Sequence, residues 1–277
     1  MDSFAVPRPA TTATTTEDDL PAGIASLLGA APGPPSRRFL SHLLYGDADA
    51  SRPHTAFADR RQIETALKAG EDPLLYEAYR DVASTRHGWR ADLVVYQPGT
   101  LPDGQPHRSI GHWNPPTQLE IFQTLSGTTL MLVAGHRPDG SRYAHQVTTR
   151  AGDLAVVPFG AWHLTYVLDG PAAVFNIYTD IHLDPDDAYP RLDDAKYQRA
   201  AAPGLVVVRD GDTEHPLSVT ADSQREYGPP TALPVPAWLA SWPLATRLPD
   251  LHRDAPMTSL AALVRAALAT EILRGPA

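Results

Sequence analysis

The chain contains no cysteine, which excludes disulfide staples, thiolate zinc sites and thiol nucleophiles. Any metal site must draw on His, Asp, Glu, Asn or Gln. Positive charge is also short, with 23 Lys and Arg against 32 Asp and Glu, a formal charge of −9. No basic patch stands out, so a nucleic-acid partner is not expected. Long hydrophobic runs are missing. Leu125 to Gly135 and Leu260 to Leu273 are too short, or too alanine-rich and interrupted, to span a bilayer as a helix. Met1 to Gly23 has neither a positive start nor an apolar segment of leader type, and the expected location is the cytoplasm. Proline and glycine are abundant instead: 28 and 19 in 277 residues, about 17% against a norm of about 12%. That predicts many turns. At 43% apolar, the chain has enough material for a sizeable core.

The pattern divides the chain into four parts. Residues 1–21, rich in Thr, Ala, Pro and acid, read as a disordered tail. Residues 22–73 read as a helical extension, with helices over Ala22–Leu28, Arg38–Tyr45 and Asp59–Lys68. Asp59 caps the last of these, Gln62 reaches back to it, and Gly70 stops it. From Leu74 to Val219 the period becomes that of strands, expected at Ala91–Tyr96, Leu119–Leu125, Thr128–Val133, Arg142–Thr148, Leu154–Val157, His163–Val167, Ala173–Tyr178 and Leu205–Val208. Turn signals at Pro138-Asp139-Gly140, Leu168-Asp169-Gly170 and Asp210-Gly211-Asp212 separate several of them. An all-β sandwich or barrel follows from so many short strands. Residues 220–277 form a C-terminal extension ending in a helix from Leu260 to Leu273, capped by Ser259, which packs on the barrel or on a second subunit.

Two stretches carry chemistry. In Gly111-His112-Trp113-Asn114-Pro115-Pro116-Thr117-Gln118-Leu119-Glu120-Ile121-Phe122, extended geometry puts His112 and Asn114 on one face, and Gln118, Glu120 and Phe122 on one face. The Pro-Pro pair allows the two pieces to fold together. The second stretch runs from Gly152 to His163, where Pro158-Phe159-Gly160 turns the strand and delivers His163. If the strands face each other, His112, Glu120 and His163 meet. Two imidazoles and a carboxylate are a minimal set for a divalent ion such as Fe, Mn, Ni or Zn, to which Asn114 or Gln118 can add a weak oxygen. Taken singly, each histidine reads equally well as a structural residue and Glu120 as one on a wet face. Trp113 and Trp162 read as outward packing residues.

The spacing resembles the cupin superfamily. Glu120, six residues, then Gly127 is similar to its first motif, and Gly152, five residues, Pro158-x-Gly160, two residues, His163 is similar to its second. Within the superfamily, Arg108-Ser109-Ile110-Gly111-His112-Trp113-Asn114 and Glu120-Ile121-Phe122 look like the segments of the archaeal-type cupin phosphoglucose isomerases, a likeness extending over roughly Leu74 to Val219. The resemblance implies a double-stranded β-helix (a jelly-roll barrel), a homodimer, and His112, Glu120 and His163 as metal ligands, with Asn114 standing where the family has a second histidine. Phe122 replaces a tyrosine, Arg108-Ser109 replaces Lys-Thr, and the His and Tyr after the family's Ile-Tyr are represented at best by His182 and Tyr189.

The implied activity is isomerase- or lyase-type proton transfer on a small oxygen-rich substrate, with Glu120 and His163 catalytic and Glu120 the candidate base. Substrate contacts are expected from Arg108, Ser109, Asn114, Gln118 and Tyr178. Arg108 and Ser109 read as an anion clamp or, alternatively, as a solvated strand end; Tyr178 as a hydroxyl donor at the barrel mouth or a core aromatic. A non-haem iron oxygenase is the second reading, because two His and one carboxylate with open positions also suit oxygen activation. A metabolite-binding barrel without metal is the third.

Overall fold

The computed structural model describes residues 34–45, 55–83, 89–116, 118–179, 201–240, 247–254 and 257–273. The expected tail, the helix over Ala22–Leu28, and His182 and Tyr189 lie outside these residues. In chain order the elements are β1 (Ser36–Phe39), α1 (Leu40–Tyr45), α2 (Arg60–Lys68), β2 (Leu74–Tyr79), β3 (Trp89–Tyr96), β4 (His112–Trp113), β5 (Glu120–His136), β6 (Arg142–Arg150), β7 (Leu154–Val157) and β8 (Trp162–Thr179). There follow β9 (Leu205–Asp210), β10 (Thr213–Ser218), α3 (Ala221–Tyr227), β11 (Thr231–Ala232), α4 (Ala237–Ala240), α5 (Leu248–Asp254) and α6 (Met257–Ala269).

Two long strands organise the molecule. β5 and β8, of 17 and 18 residues, each merge two of the expected short strands, and they pair with each other antiparallel along most of their length. Their register slips between Thr124 and Thr129, where Gly127 (φ 72°) faces Gly170 (φ 112°). A Cβ on Gly127 would lie 2.8 Å from the Asp169 carbonyl oxygen and 2.9 Å from Ala172 Cα. Only glycine allows the ribbon to bend there. The expected turn at Leu168-Asp169-Gly170 is therefore this corner within β8 and not a break between strands.

Beyond the corner each half of the ribbon belongs to a different layer. The first layer runs β1-β2-β3-β8-β5-β7, using Glu120–Thr124 and Ala172–Thr179. The second runs β4-β8-β5-β6-β11, using Trp162–Asp169 and Thr128–His136. Their inner faces share one core, in which Met131, Val133 and Val167 of the second layer pack with Phe122, Val157 and Val174 of the first. This is the all-β jelly-roll expected.

Helices and a hairpin cover the outer faces. On the first layer, Leu239, Leu248, Ala267 and Leu273 pack over Leu93, Ile121, Phe175 and Ile177. On the second, Leu205 and Val207 of the β9–β10 hairpin cover Trp162, Leu164 and Tyr166. The terminal helix begins at Met257, places Ser259 inside it, and gives way after Ala269 to a tighter turn at Glu271–Leu273. The Leu273 carbonyl accepts from Phe159 N at 3.0 Å, so this helix docks on the barrel of its own chain. At the other end, α2 has the expected cap, Asp59 accepting from Arg61 N at 2.9 Å, while the Gln62 amide meets the Asp59 carboxylate instead of its backbone. The helix expected from Arg38 starts only at Leu40. Residues 36–39 pair with β2, where Arg37 meets Glu77 at 2.7 Å, because an open sheet edge outweighs a short helical pattern.

Candidate metal centre

Gly111 sets the site's first strand. With φ of 80°, it brings the chain so close to β8 that a Cβ would lie 2.9 Å from Leu164 Cβ and 3.1 Å from the His163 carbonyl oxygen. β4 can then pair His112 with His163 and Trp113 with Trp162. The imidazole rings sit 4.5 Å apart, edge to face. On β5, Glu120 enters from the opposite layer, and its Oε2 lies 3.3 Å from His163 Nε2. The ligand atoms of His112, Glu120 and His163 all fall within 4.8 Å of one another. Glu120 and His163 are buried and His112 is exposed, so the cluster opens toward solvent on the His112 side.

Amides surround the carboxylate. Asn114 Nδ2 donates to Glu120 Oε2 at 2.9 Å, Gln118 Nε2 donates weakly to the same oxygen at 3.4 Å, and Asn176 Nδ2 donates to Oε1 at 2.8 Å. The bent Pro-Pro segment thus folds Asn114 and Gln118 back on Glu120, as the spacing predicts. Burial alone would push the Glu120 carboxyl up; the neighbouring His163 and His112 and the Asn114 amide outweigh it and hold the group at about 2. Glu120 is ionised near neutral pH and is a weak base. This environment suits a metal ligand, and it disfavours the general-base role expected of Glu120.

The donor set fits a divalent cation. Asn114 Oδ1 and His163 Nε2 are buried and have no hydrogen-bond partner within normal geometry among the described residues, His163 Nε2 facing Glu120 Oε2 at 3.3 Å. A cation would satisfy both the orphaned lone pairs and the local negative charge. Phe122 packs edge-on against His163 at 5.4 Å and offers no hydroxyl.

The remaining expected residues divide. Tyr178 stands opposite Glu120 in the β5–β8 ladder, half-buried, with the Arg90 guanidinium 5.8 Å from its ring. Burial pushes its hydroxyl pKa up. Arg108 goes elsewhere. It bridges Tyr166, and three residues separate it from His112 while only two separate Tyr166 from His163, so one extra residue bulges out between them. That bulge reverses the facing of Arg108, which the even spacing from His112 would have aimed into the site. Arg108 is fully buried, with its guanidinium on Thr55 Oγ1 and the Ala56 carbonyl (2.7 Å), so it is neither a solvated strand end nor a neighbour of the cluster. Ser109 is likewise engaged, its Oγ accepting from Thr165 N at 3.0 Å. Trp162 packs in the outer core of the second layer, and Trp113 Nε1 donates to the Ala201 carbonyl at 3.1 Å.

Asn176 is the residue that motif reading overlooks. Its signal was present, since an amide interrupts the apolar run Val174-Phe175-Asn176-Ile177 on the inward parity of β8.

No family model matches the chain, and no curated protein matches it in sequence. Among solved structures, the chain is similar to KdgF from Halomonas sp., at 16% identity over 38% of this chain and 80% of that one, TM-score 0.29. It is also similar to a recombinant oxalate oxidase in complex with glycolate, at 20% identity over 38% of this chain and 50% of that one, TM-score 0.31. A third is the oxalate decarboxylase of Lactobacillus farciminis in a formate complex, at 18% identity over 38% and 29% of the two chains, TM-score 0.30. The chain spans half or less of the length of the last two. Among the described residues no helix is long and apolar enough to cross a membrane.

Proposed function

We propose that the chain is a metal-dependent enzyme that moves a proton on a small oxygen-rich substrate, with His112, Glu120 and His163 holding the divalent ion. The observation that carries this reading is the convergence of two imidazoles and one ionised carboxylate within 4.8 Å, with the cluster open on its His112 side. A divalent ion bound there supplies Lewis-acid polarisation of a substrate carbonyl or hydroxyl. Asn114, Gln118 and Asn176 keep Glu120 ionised and fixed in direction, the task of residues behind a ligand. Gln118 and Tyr178, both half-buried beside Glu120, contact substrate at the mouth. The walls of the two layers exclude bulk water from all but the His112 side, which strengthens each of these polar interactions.

The test is metal content and affinity of the full chain. Purified protein is expected to take up about one Mn, Fe, Ni or Zn ion per chain, and His163→Ala is expected to lose it while remaining folded by circular dichroism. Stoichiometric binding that survives His163→Ala and Glu120→Gln refutes the assignment; a chain that binds no metal at all favours a metabolite-binding barrel. The same donor set is favourable to oxygen activation, so an oxygenase is the second reading. Turnover that continues under strict anaerobiosis rejects it, and turnover that stops without O₂ rejects the isomerase or lyase.

A further inference from the structure

Eight buried side-chain polar atoms have no hydrogen-bond partner among the described residues, and four belong to inward-facing residues around the candidate metal centre: Asn114 Oδ1, His163 Nε2, Tyr143 Oη and His145 Nε2. The last two are on β6, which neither the motifs nor the proposed ligand set use. Their facing follows from register. His145 pairs with Val133, Val133 pairs with His163, and His163 pairs with His112, so all four lie in one row on one face of the second layer. Neighbouring strands are about 4.8 Å apart, which places His145 and His163 roughly 10 Å apart across a shorter valine. Tyr143 extends over the adjacent position, its hydroxyl oxygen 2.5 Å from where a Cβ on Gly135 would be. Any side chain at 135 would collide with it.

We propose that His145 is the general base of this site, resting on the metal-dependent proton-transfer reading above. His145 Nδ1 lies 3.0 Å from Thr231 Oγ1 on β11, and that hydroxyl also lies 3.5 Å from the Ala144 carbonyl. In the base-competent tautomer Nδ1 donates to Thr231, leaving the Nε2 lone pair open. Tyr143 stacks on the ring at 5.1 Å, and the Arg137 guanidinium lies 5.3 Å from the Tyr143 ring centroid. Burial, with the positive charge of Arg137, pushes the imidazole pKa down, so the ring is neutral at neutral pH. The contrast with Glu120 decides the assignment, since the oxygens of Glu120 already accept three amide hydrogens while His145 Nε2 accepts none.

In the step, a substrate C–H bond next to a carbonyl breaks, its proton passes to His145 Nε2, and the electron pair stays on the substrate. Return of the proton to the former carbonyl carbon, with the hydroxyl proton of the deprotonated carbon passing to the former carbonyl oxygen, completes an isomerisation and restores neutral His145. No oxidant or reductant is consumed. Thr231 acts through His145 and is a positioning residue.

The experiment uses the full chain loaded with zinc, incubated in D₂O with glycolaldehyde or dihydroxyacetone and followed by proton NMR for loss of the C–H signal beside the carbonyl. Wild type is expected to exchange the signal, and His145→Gln to lower the rate by about 10² to 10⁴ with zinc stoichiometry unchanged. Thr231→Val is expected to give a smaller loss and to mix the two ring tautomers in the ¹⁵N spectrum of His145, which in wild type shows a protonated Nδ1 and a bare Nε2 at pH 7. Wild-type exchange in His145→Gln overturns the proposal, as does a protonated Nε2 in wild type or the absence of exchange from zinc-loaded wild type. All three leave the metal assignment standing. Failure of wild type to bind any of Mn, Fe, Ni or Zn overturns both. If His145→Gln does not fold, the tautomer measurement on wild type still decides.

Discussion

Glu120→Gln separates the structural from the ligating role of this carboxylate. In the folded chain without metal, two amide hydrogen bonds at 2.8 and 2.9 Å reach the charged group. Bonds to charged groups are each worth about 1.5–3 kcal/mol, so about 3–6 kcal/mol of gross interaction changes character. Against this, the buried charge itself disappears, and its desolvation is a penalty of several kcal/mol. Amide rotation also helps, since the unpartnered Asn114 Oδ1 can turn to accept from the new amide. A carboxyl held at about 2 against 4.5 leaves the charged form net favoured by about 3 kcal/mol, part of which the new amide regains, so the metal-free variant is expected to unfold about 1–3 kcal/mol below wild type.

Metal linkage is where the variant should differ. At a metal concentration about 100 times Kd, wild type gains about 2.7 kcal/mol. Replacing the only anionic ligand is expected to weaken binding by at least about 100-fold, beyond what outer residues contribute, which reduces the gain to about 0.4 kcal/mol. For a chain of this size about 2–4 °C of melting temperature accompanies each kcal/mol. Paired thermal melts with and without Mn²⁺ should therefore show a shift of roughly 5–11 °C for wild type and about 1 °C for the variant. Equal shifts refute Glu120 as a ligand; a metal-free variant as stable as wild type refutes the net preference for the charged form.

Asn114→His adds an imidazole where Asn114 Oδ1 is now orphaned, and titration calorimetry with Zn²⁺ should show affinity rising about tenfold or more, whereas unchanged affinity means that the side chain does not reach the ion. Because Glu120 is held at about 2 against an ordinary value of 4.5, its contribution to stability is complete above about pH 4.5 and lost as pH falls through about 2. Urea unfolding of the metal-free chain between pH 2 and 5 should lose stability on acidification, and that slope should flatten in Glu120→Gln. Gly111→Ala places a Cβ 2.9 Å from Leu164 Cβ at a φ of 80°, so it should destabilise by about 1–3 kcal/mol and weaken metal binding by moving His112; retained affinity would detach β4 from the site. Arg108→Ala should cost about 2–4 kcal/mol in a denaturant melt, through lost packing and unpaired backbone acceptors, with metal affinity unchanged.

The pattern of apolar and polar residues along the chain already determined most strand positions and the α2 cap, because pleat parity and turn chemistry are local properties that neighbouring residues carry themselves; it named His112, Glu120 and His163 only on the condition that their strands face each other, which the β4–β8 pairing supplies. The Pro-Pro bend allowed the two extended pieces to fold together, but that Asn114 and Gln118 turn their amide nitrogens to Glu120 is seen only in the folded chain. Tertiary structure decided the rest. Whether Leu119–Leu125 and Thr128–Val133 are two strands or one depends on Gly127 meeting Gly170, more than forty residues away. Whether Arg108 faces the site depends on a single bulged residue, and one residue reverses the facing of a strand. Asn176 and His145 belong to the site only through cross-strand register, which links residues distant in sequence by hydrogen bonds that no local pattern records.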